Sequence, residues 1–247
     1  MLKRTDVQPA INPALTLKVH IRAMWSRRRL RAGLAVLGLL LLWGCGKSGP
    51  QFVSRYEPWR EAEEAQCLRS GHVRATPFLV QRAALGGPGH CGATRPFEMT
   101  AALGGRVIMR PAALLRCPMI PAVDHWMQTT VMPAAMRNFG LPVVEIKVAA
   151  SYACRPMNHV DGAKLSEHGH ANALDVSAFQ LADGRWISVK QGWYGDVRER
   201  AFLRQIHQGG CQTFATVLGP YYDAAHRDHF HLDLARHGRD GEGRICK

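Results

Sequence analysis

Residues 165–179 read LSEHGHANALDVSAF. The stretch sets His168, His170 and Asp175 among Gly, Ala and Ser, and runs on into valine and phenylalanine, which a strand favours. Two histidines and a carboxylate behind such small residues suit either a solvated loop beside a strand or part of a metal shell completed from elsewhere. Residues 228–235, DHFHLDLA, offer the completion. His229 and His231 are two apart in a strand pattern, so both side chains leave on one face. His168, Asp175 and His231 then form a His, Asp, His set. Catalytic zinc takes three protein ligands and keeps a fourth position for water. His170 is the alternative fourth ligand, and the need for that open position weighs against it.

Around these motifs the chain alternates strands and helices. ALDVSAFQLADGRWISV predicts a hairpin of two strands around the ADG turn, with Asp175 opening the first. PVVEIKVAAS reads as a β-branched strand, and QTFATVLG and DHFHLDLA as two more. EPWREAEEAQCLRSG predicts a helix with Pro58 in its first turn and Gly71 closing it. PAVDHWMQTTVMPAAMRNFG predicts a second helix, bent at Pro133 and ended at Gly140, with Trp126, Met127 and Met136 at core spacings. DVRERAFLRQIHQGG predicts a third, stopped by its Gly pair. Residues 72–111, rich in Gly and Pro, read as loops with short strands such as RVIMR. The expected fold is α+β: one domain with a small antiparallel or mixed sheet flanked by helices, the zinc site on the sheet. His226 and His237, flanking the second motif, are expected to face solvent.

The chain has 247 residues, 47% of them hydrophobic, and a formal charge of +13. Residues 1–45 hold eight Lys/Arg and one acid, which leaves 24 basic and 18 acidic residues beyond them. Those later cations are scattered without interleaved aromatics, so nucleic acid is not an expected partner. The early ones belong to a leader. Arg27, Arg28, Arg29 and Arg31 precede an apolar run from Ala32 to Trp43, shorter than the roughly 20 residues a bilayer span needs and suited to a signal peptide. The run closes at LWGC, residues 42–45, which resembles the bacterial lipobox with Cys45 as the lipidated residue. Residues 1–45 are therefore expected to form a lipoprotein-type signal peptide, with Met24 a second possible start. Residues 46–56 form a tether and 57–247 the domain. The expected place is the periplasmic face of a membrane, the outer one favoured because Gly46 and Lys47 are not aspartate. The anchor makes that membrane a partner.

With Cys45 lipidated, Cys67, Cys91, Cys117, Cys154, Cys211 and Cys246 remain, an even number in a compartment that permits disulfides. Six cysteines allow about 15 connectivities. Pairing of sequence neighbours (67 with 91, 117 with 154, 211 with 246) is the simplest expectation.

S-x-H followed by Asp (SEHGHANALD), the later H-x-H in a strand and the upstream SYACRPMN together resemble the zinc peptidases that cut D-amino-acid bonds in peptidoglycan: D-alanyl-D-alanine carboxypeptidases, dipeptidases and murein endopeptidases. The spread of cysteines, LLRCPM and the terminal ICK are more similar still to proteins with an extensin-like C-terminal domain. The resemblance covers about residues 55–247. It implies Zn2+ on His168, Asp175 and His231, with peptidoglycan stem peptides as the partner. Ser166 would buttress the metal loop and border the substrate, Arg155 would face the scissile carbonyl and Tyr152 would line the cleft. It leaves the general base open between Asp228, which stands where the carboxypeptidases have Glu, and His229, the residue the endopeptidases use. Ala171 stands where the carboxypeptidases usually have Gly. The implied activity is a periplasmic zinc-dependent peptidase, either carboxypeptidase or endopeptidase. The alternative is a wall-associated binding or structural lipoprotein that keeps the fold without turnover.

Overall fold

Pro58 opens the first helix at a position where its missing N–H has no intrahelical partner to lose. The computed structural model describes residues 52–247. The expected leader, Cys45 and the tether as far as residue 51 lie outside the described residues. Helix α1 (Pro58–Ser70) ends at Gly71, whose φ of 69° is the left-handed cap that glycine accepts. Strands β1 (Leu79–Gln81), β2 (Leu85–Gly86) and β3 (Gly92–Ala93) lead to β4 (Phe97–Ala102) and β5 (Val107–Leu115). Helix α2 (Met119–Trp126) passes through a π turn, Met127–Val131, into α3 (Met132–Phe139). Strand β6 (Val143–Ala150), β7 (Ala173–Leu181) and β8 (Trp186–Ser188) follow, then α4 (Val189–Gly192) and α5 (Val197–Thr213). Strands β9 (Thr216–Leu218), β10 (Phe230–Asp233) and β11 (Ile245–Cys246) complete the chain.

The main sheet runs β1-β4-β5-β6-β7-β10-β9-β11, with β8 also on β7. Only β5–β6 and β9–β11 pair in parallel, so the sheet is mixed and the fold is α+β with helices against the sheet. The hairpin expected around the ADG turn is β7–β8. Strand β7 pairs along one edge with β6, while the other edge is shared by β10 at residues 173–176 and β8 at residues 178–180. Asp175 is the third residue of β7, not its first. On β10, Phe230 and Leu232 enter the hydrophobic core; His231 and Asp233, one residue out of phase, leave on the opposite face. Leu174 and Val176 of β7 likewise enter the core, which puts Asp175 on that same opposite face.

The core is aromatic at its centre. Phe179 meets Trp126, Phe202 and Phe230 with ring centroids 6.1, 5.5 and 6.5 Å apart, and Trp126 Nε1 donates to the Ile206 carbonyl at 3.0 Å. Trp126 and Met127 are fully buried, but Met136 is 50% exposed, against its expected core place. The bend expected at Pro133 is taken up by the π turn just ahead of it, and Gly140 caps α3 with φ 68°. The Gly209–Gly210 pair does not stop α5. It lies inside the helix, where a Cβ on Gly209 would come within 2.3 Å of Thr130 Cγ2, so these glycines let α5 close on the π turn. RVIMR is the start of a nine-residue strand.

Two of the three expected disulfides are re-paired: the bonds are Cys67–Cys117, Cys91–Cys154 and Cys211–Cys246. The physical reason is tertiary. Helix α1 lies against the segment that follows β5, and the β2–β3 hairpin lies against the segment that follows β6, where Tyr152 Oη donates to the Gly86 carbonyl at 2.9 Å. No helix of the described residues is long and apolar enough to cross a membrane.

Phe179→Ala, at a fully buried position, is expected to cost about 3–5 kcal/mol. Urea unfolding of the oxidised protein checks it; a loss under 1 kcal/mol would place the centre of the core elsewhere.

Candidate metal centre

His168 is carried by a 3-10 turn, Glu167–His170, that Ser166 caps through its hydroxyl, which accepts from the His168 backbone N at 3.4 Å. Ala171 leaves the turn with φ 51°, the left-handed region a glycine would enter without strain. Arg60 of α1 clamps the turn from behind, its two terminal nitrogens each 2.6 Å from a Glu167 carboxylate oxygen. Asp175 and His231 come from directly opposite positions of β7 and β10. Chain segments far apart in sequence therefore meet because one β-ladder sets the register and one ion pair pins the turn.

Three ligand atoms converge. His168 Nε2 lies 3.1 Å from Asp175 Oδ2, His231 Nδ1 lies 2.9 Å from Asp175 Oδ1, and the two ring nitrogens are 3.2 Å apart. A tetrahedral ion with bonds near 2.0 Å has ligand–ligand edges of about 3.3 Å, so this triangle is close to the size a zinc ion requires. All three residues are buried. The nitrogen of each ring turned away from the triangle already has an acceptor: His168 Nδ1 donates to the Ser151 carbonyl at 2.5 Å, and His231 Nε2 donates to Asp233 Oδ2 at 2.9 Å. Those contacts fix the tautomer that aims a lone pair inward, the outer support expected around a metal-binding histidine. The donor set of two imidazoles and a carboxylate fits zinc; nothing in the distances alone selects zinc over another divalent ion.

The electrostatics agree with a site for a cation. Burial disfavours the Asp175 carboxylate, but hydrogen bonds from His168 and His231 outweigh it and hold the group well below the usual carboxylate range. Burial opposes a charge on His231, yet the hydrogen bonds to Asp175 and Asp233 raise its pKa to about 10. A proton on His231 balances these two carboxylates, and a metal ion bound there would displace it.

Beside the triangle stands a second layer. His229 lies just ahead of β10, its Nε2 3.6 Å from Asp175 Oδ2 and its Nδ1 2.9 Å from Asp228 Oδ1. The two candidates for the base are thus joined in series: Asp228, with its side chain 58% exposed, orients His229. His226 is not solvent-facing as expected. It is 6% exposed, its Nδ1 lies 2.6 Å from Asp223 Oδ1, and its ring packs 5.4 Å from His229 and 5.9 Å from His231. His237 is half-buried and shares a 2.7 Å hydrogen bond with Thr216 Oγ1. Asp233 and His226 border the candidate site and lie outside the residues the motifs picked out. His-x-Asp on one strand gives a signal for the first, since residues two apart share a face; the histidine spacing 226, 229, 231 gives one for the second.

The remaining sequence candidates divide. Arg155 is half-buried, forms no ion pair among the described residues, and is held below the usual guanidinium pKa by burial, with the charge of Asp175 acting the other way. Ser166 is 5% exposed and caps the turn that carries His168, the buttressing place expected of it. Tyr152 is turned to Gly86 and holds the β2–β3 hairpin. His170 is two residues from His168 but lines a cleft with Arg60, Arg116 and His90 on the other side of the turn, so the structure does not bring it to the metal group. A second His/Cys group, His207 with Cys211 and Cys246, is closed to a metal because its cysteines are bonded to each other.

The sequence matches the family described as extensin-like protein C-terminus over residues 65–247. The chain belongs to that family. The match starts inside α1 and takes in every strand among the described residues, all six bonded cysteines and the segments that carry His168, Asp175 and His231. Neither a curated protein nor a solved structure matches the chain.

Asp233→Asn, which keeps the shape at His231 Nε2 and removes the charge, is expected to weaken zinc binding about 10- to 100-fold. Competition with a chromophoric chelator measures it; unchanged affinity would remove Asp233 from the site.

Proposed function

We propose that the extensin-like domain is a zinc-dependent hydrolase of D-amino-acid peptide bonds in peptidoglycan stem peptides, acting as a carboxypeptidase or endopeptidase. The observation that carries this reading is the buried His168–Asp175–His231 triangle with the Asp228–His229 pair beside it. Bound there, zinc would supply Lewis acidity to a carbonyl oxygen and bring the pKa of a water to about 7. His229, its Nδ1 held by Asp228, would carry a proton at Nε2, accepting it from an attacking water and returning it to the leaving amine. Arg155, with no ion pair of its own among the described residues, is the donor for negative charge on the carbonyl oxygen. The peptidoglycan substrate rests on the resemblance of SEHGHANALD and HFH to the wall peptidases.

The leader-like residues 1–45 and the lipobox-like Cys45 support export as a lipoprotein to the periplasmic face of a membrane. Three disulfides among the described residues support the same oxidising compartment. A second reading, a wall-binding protein that holds the metal without turnover, draws on one observation: Asp228 stands where the carboxypeptidases carry the longer Glu.

Mass spectrometry of muropeptides incubated with the zinc-loaded protein tests the two. The hydrolase reading predicts loss of a terminal D-alanine or cleavage of cross-links, slowed about 10²- to 10⁴-fold in His229→Ala with zinc retained. Intact muropeptides in the presence of bound zinc would leave the binding protein.

A further inference from the structure

Behind the metal-bearing turn, between α1 and the β2–β3 hairpin, lies a cleft of about 300 Å³. His170 lines it and His168 does not. So does Arg116, which is 2% exposed and is among the largest fully buried side chains of the domain. Its Nη2 donates to the Arg60 carbonyl, while among the described residues its Nε has no hydrogen-bond partner. The neighbouring Arg60 shows what a satisfied guanidinium looks like here: it has Glu57 at 2.7 Å and Glu167 at 2.6 Å. Among the described residues Arg116 has no carboxylate within ion-pair distance, and its share of the Trp59 ring is distant, 5.9 Å against 4.3 Å for Arg60. The carboxylates that offset its charge, Glu64 foremost, stand out of contact, so its guanidinium fork, matched in shape by a carboxylate, is left without a direct ion pair.

The acids of the same cleft narrow the ligand. Arg55, Arg60 and Arg116 line it with three acids; Glu57 is already paired with Arg60, which leaves Glu61 and Glu64. Glu64 is 6% exposed and its Oε1 accepts only the Arg95 backbone N, at 3.2 Å. Two carboxylates would repel a phosphate dianion and attract an ammonium. We propose that this cleft is a second binding site, separate from the metal centre, that takes a small zwitterion, a free α-amino acid, with its carboxylate on Arg116 and its ammonium toward Glu61 and Glu64.

Calorimetry of the full-length protein, stripped of metal by a chelator so that glycine cannot act as a metal ligand, tests the assignment. Glycine is expected to bind at one site per chain, at about millimolar concentration for so small a ligand. N-acetylglycine, which presents a carboxylate as a peptide end does, and glycinamide, which presents only the ammonium, are each expected to bind at least about tenfold more weakly, and inorganic phosphate likewise. Arg116→Met is expected to abolish glycine binding. Because changing a buried arginine can unfold the chain, Glu61→Gln at an exposed position gives an independent reading: weaker glycine, unchanged N-acetylglycine. No heat with glycine, phosphate or N-acetylglycine binding as tightly as glycine, or glycine affinity unmoved in Glu61→Gln would overturn the proposal.

Discussion

The pairing of His231 with Asp175 across β7 and β10 is the contact on which the rest of the molecule's chemistry depends. It is first a fact of register. Phe230 and Leu232 must face the core, so His231 and Asp233 must face away from it, and a slip by one residue would exchange the two sets. The hydrophobic pattern of β10 therefore fixes which imidazole meets the Asp175 carboxylate. The same alternation sets Asp233 two residues along on the same face, where it holds the outer nitrogen of His231. No separate device is needed to aim the ligand; the sheet aims it.

His168 has a different kind of support. Its turn is too short to be rigid alone, and three contacts hold it: the Ser166 cap, the Ser151 carbonyl on Nδ1 and the bidentate Arg60–Glu167 pair from α1. Helix α1 is in turn tied to the segment after β5 by Cys67–Cys117. This covalent tie stabilises the helix that braces the turn carrying His168. Buried polar groups are tolerated when every member of the network is satisfied, and around the metal group each ring nitrogen has a partner. Arg116 Nε, on the far side of the turn, has no such partner, nor among the described residues do Asn172 Oδ1 and Trp193 Nε1.

The parts of this arrangement written in local periodicity were legible in the sequence. The strand pattern of DHFHLDLA put His231 on one face, and the small residues between His168 and Asp175 marked a close approach of chain segments. The hairpin, the first helix and its glycine cap follow from turn and cap chemistry that acts over a few residues. What was not legible depends on partners that a single segment does not contain. A Gly pair can stop a helix or admit a neighbour, and only Thr130 beside Gly209 decides between them. Cysteine pairing follows from which segments pack together, so the order along the chain misassigned four of the six. His226 ends a short 3-10 turn, and its burial depends on the rings of His229 and His231 packed beside it; the Ser151 carbonyl that orients His168 is backbone, invisible to any reading of side chains.

The central claim is that residues 168, 175 and 231 share one metal ion. X-ray absorption at the zinc edge of the full-length protein, loaded with one equivalent, addresses it directly. The account predicts a four-coordinate shell of nitrogen and oxygen at about 2.0–2.2 Å, with the multiple-scattering signature of two imidazoles. A shell containing sulfur at about 2.3 Å, or six oxygens with no imidazole, would contradict it.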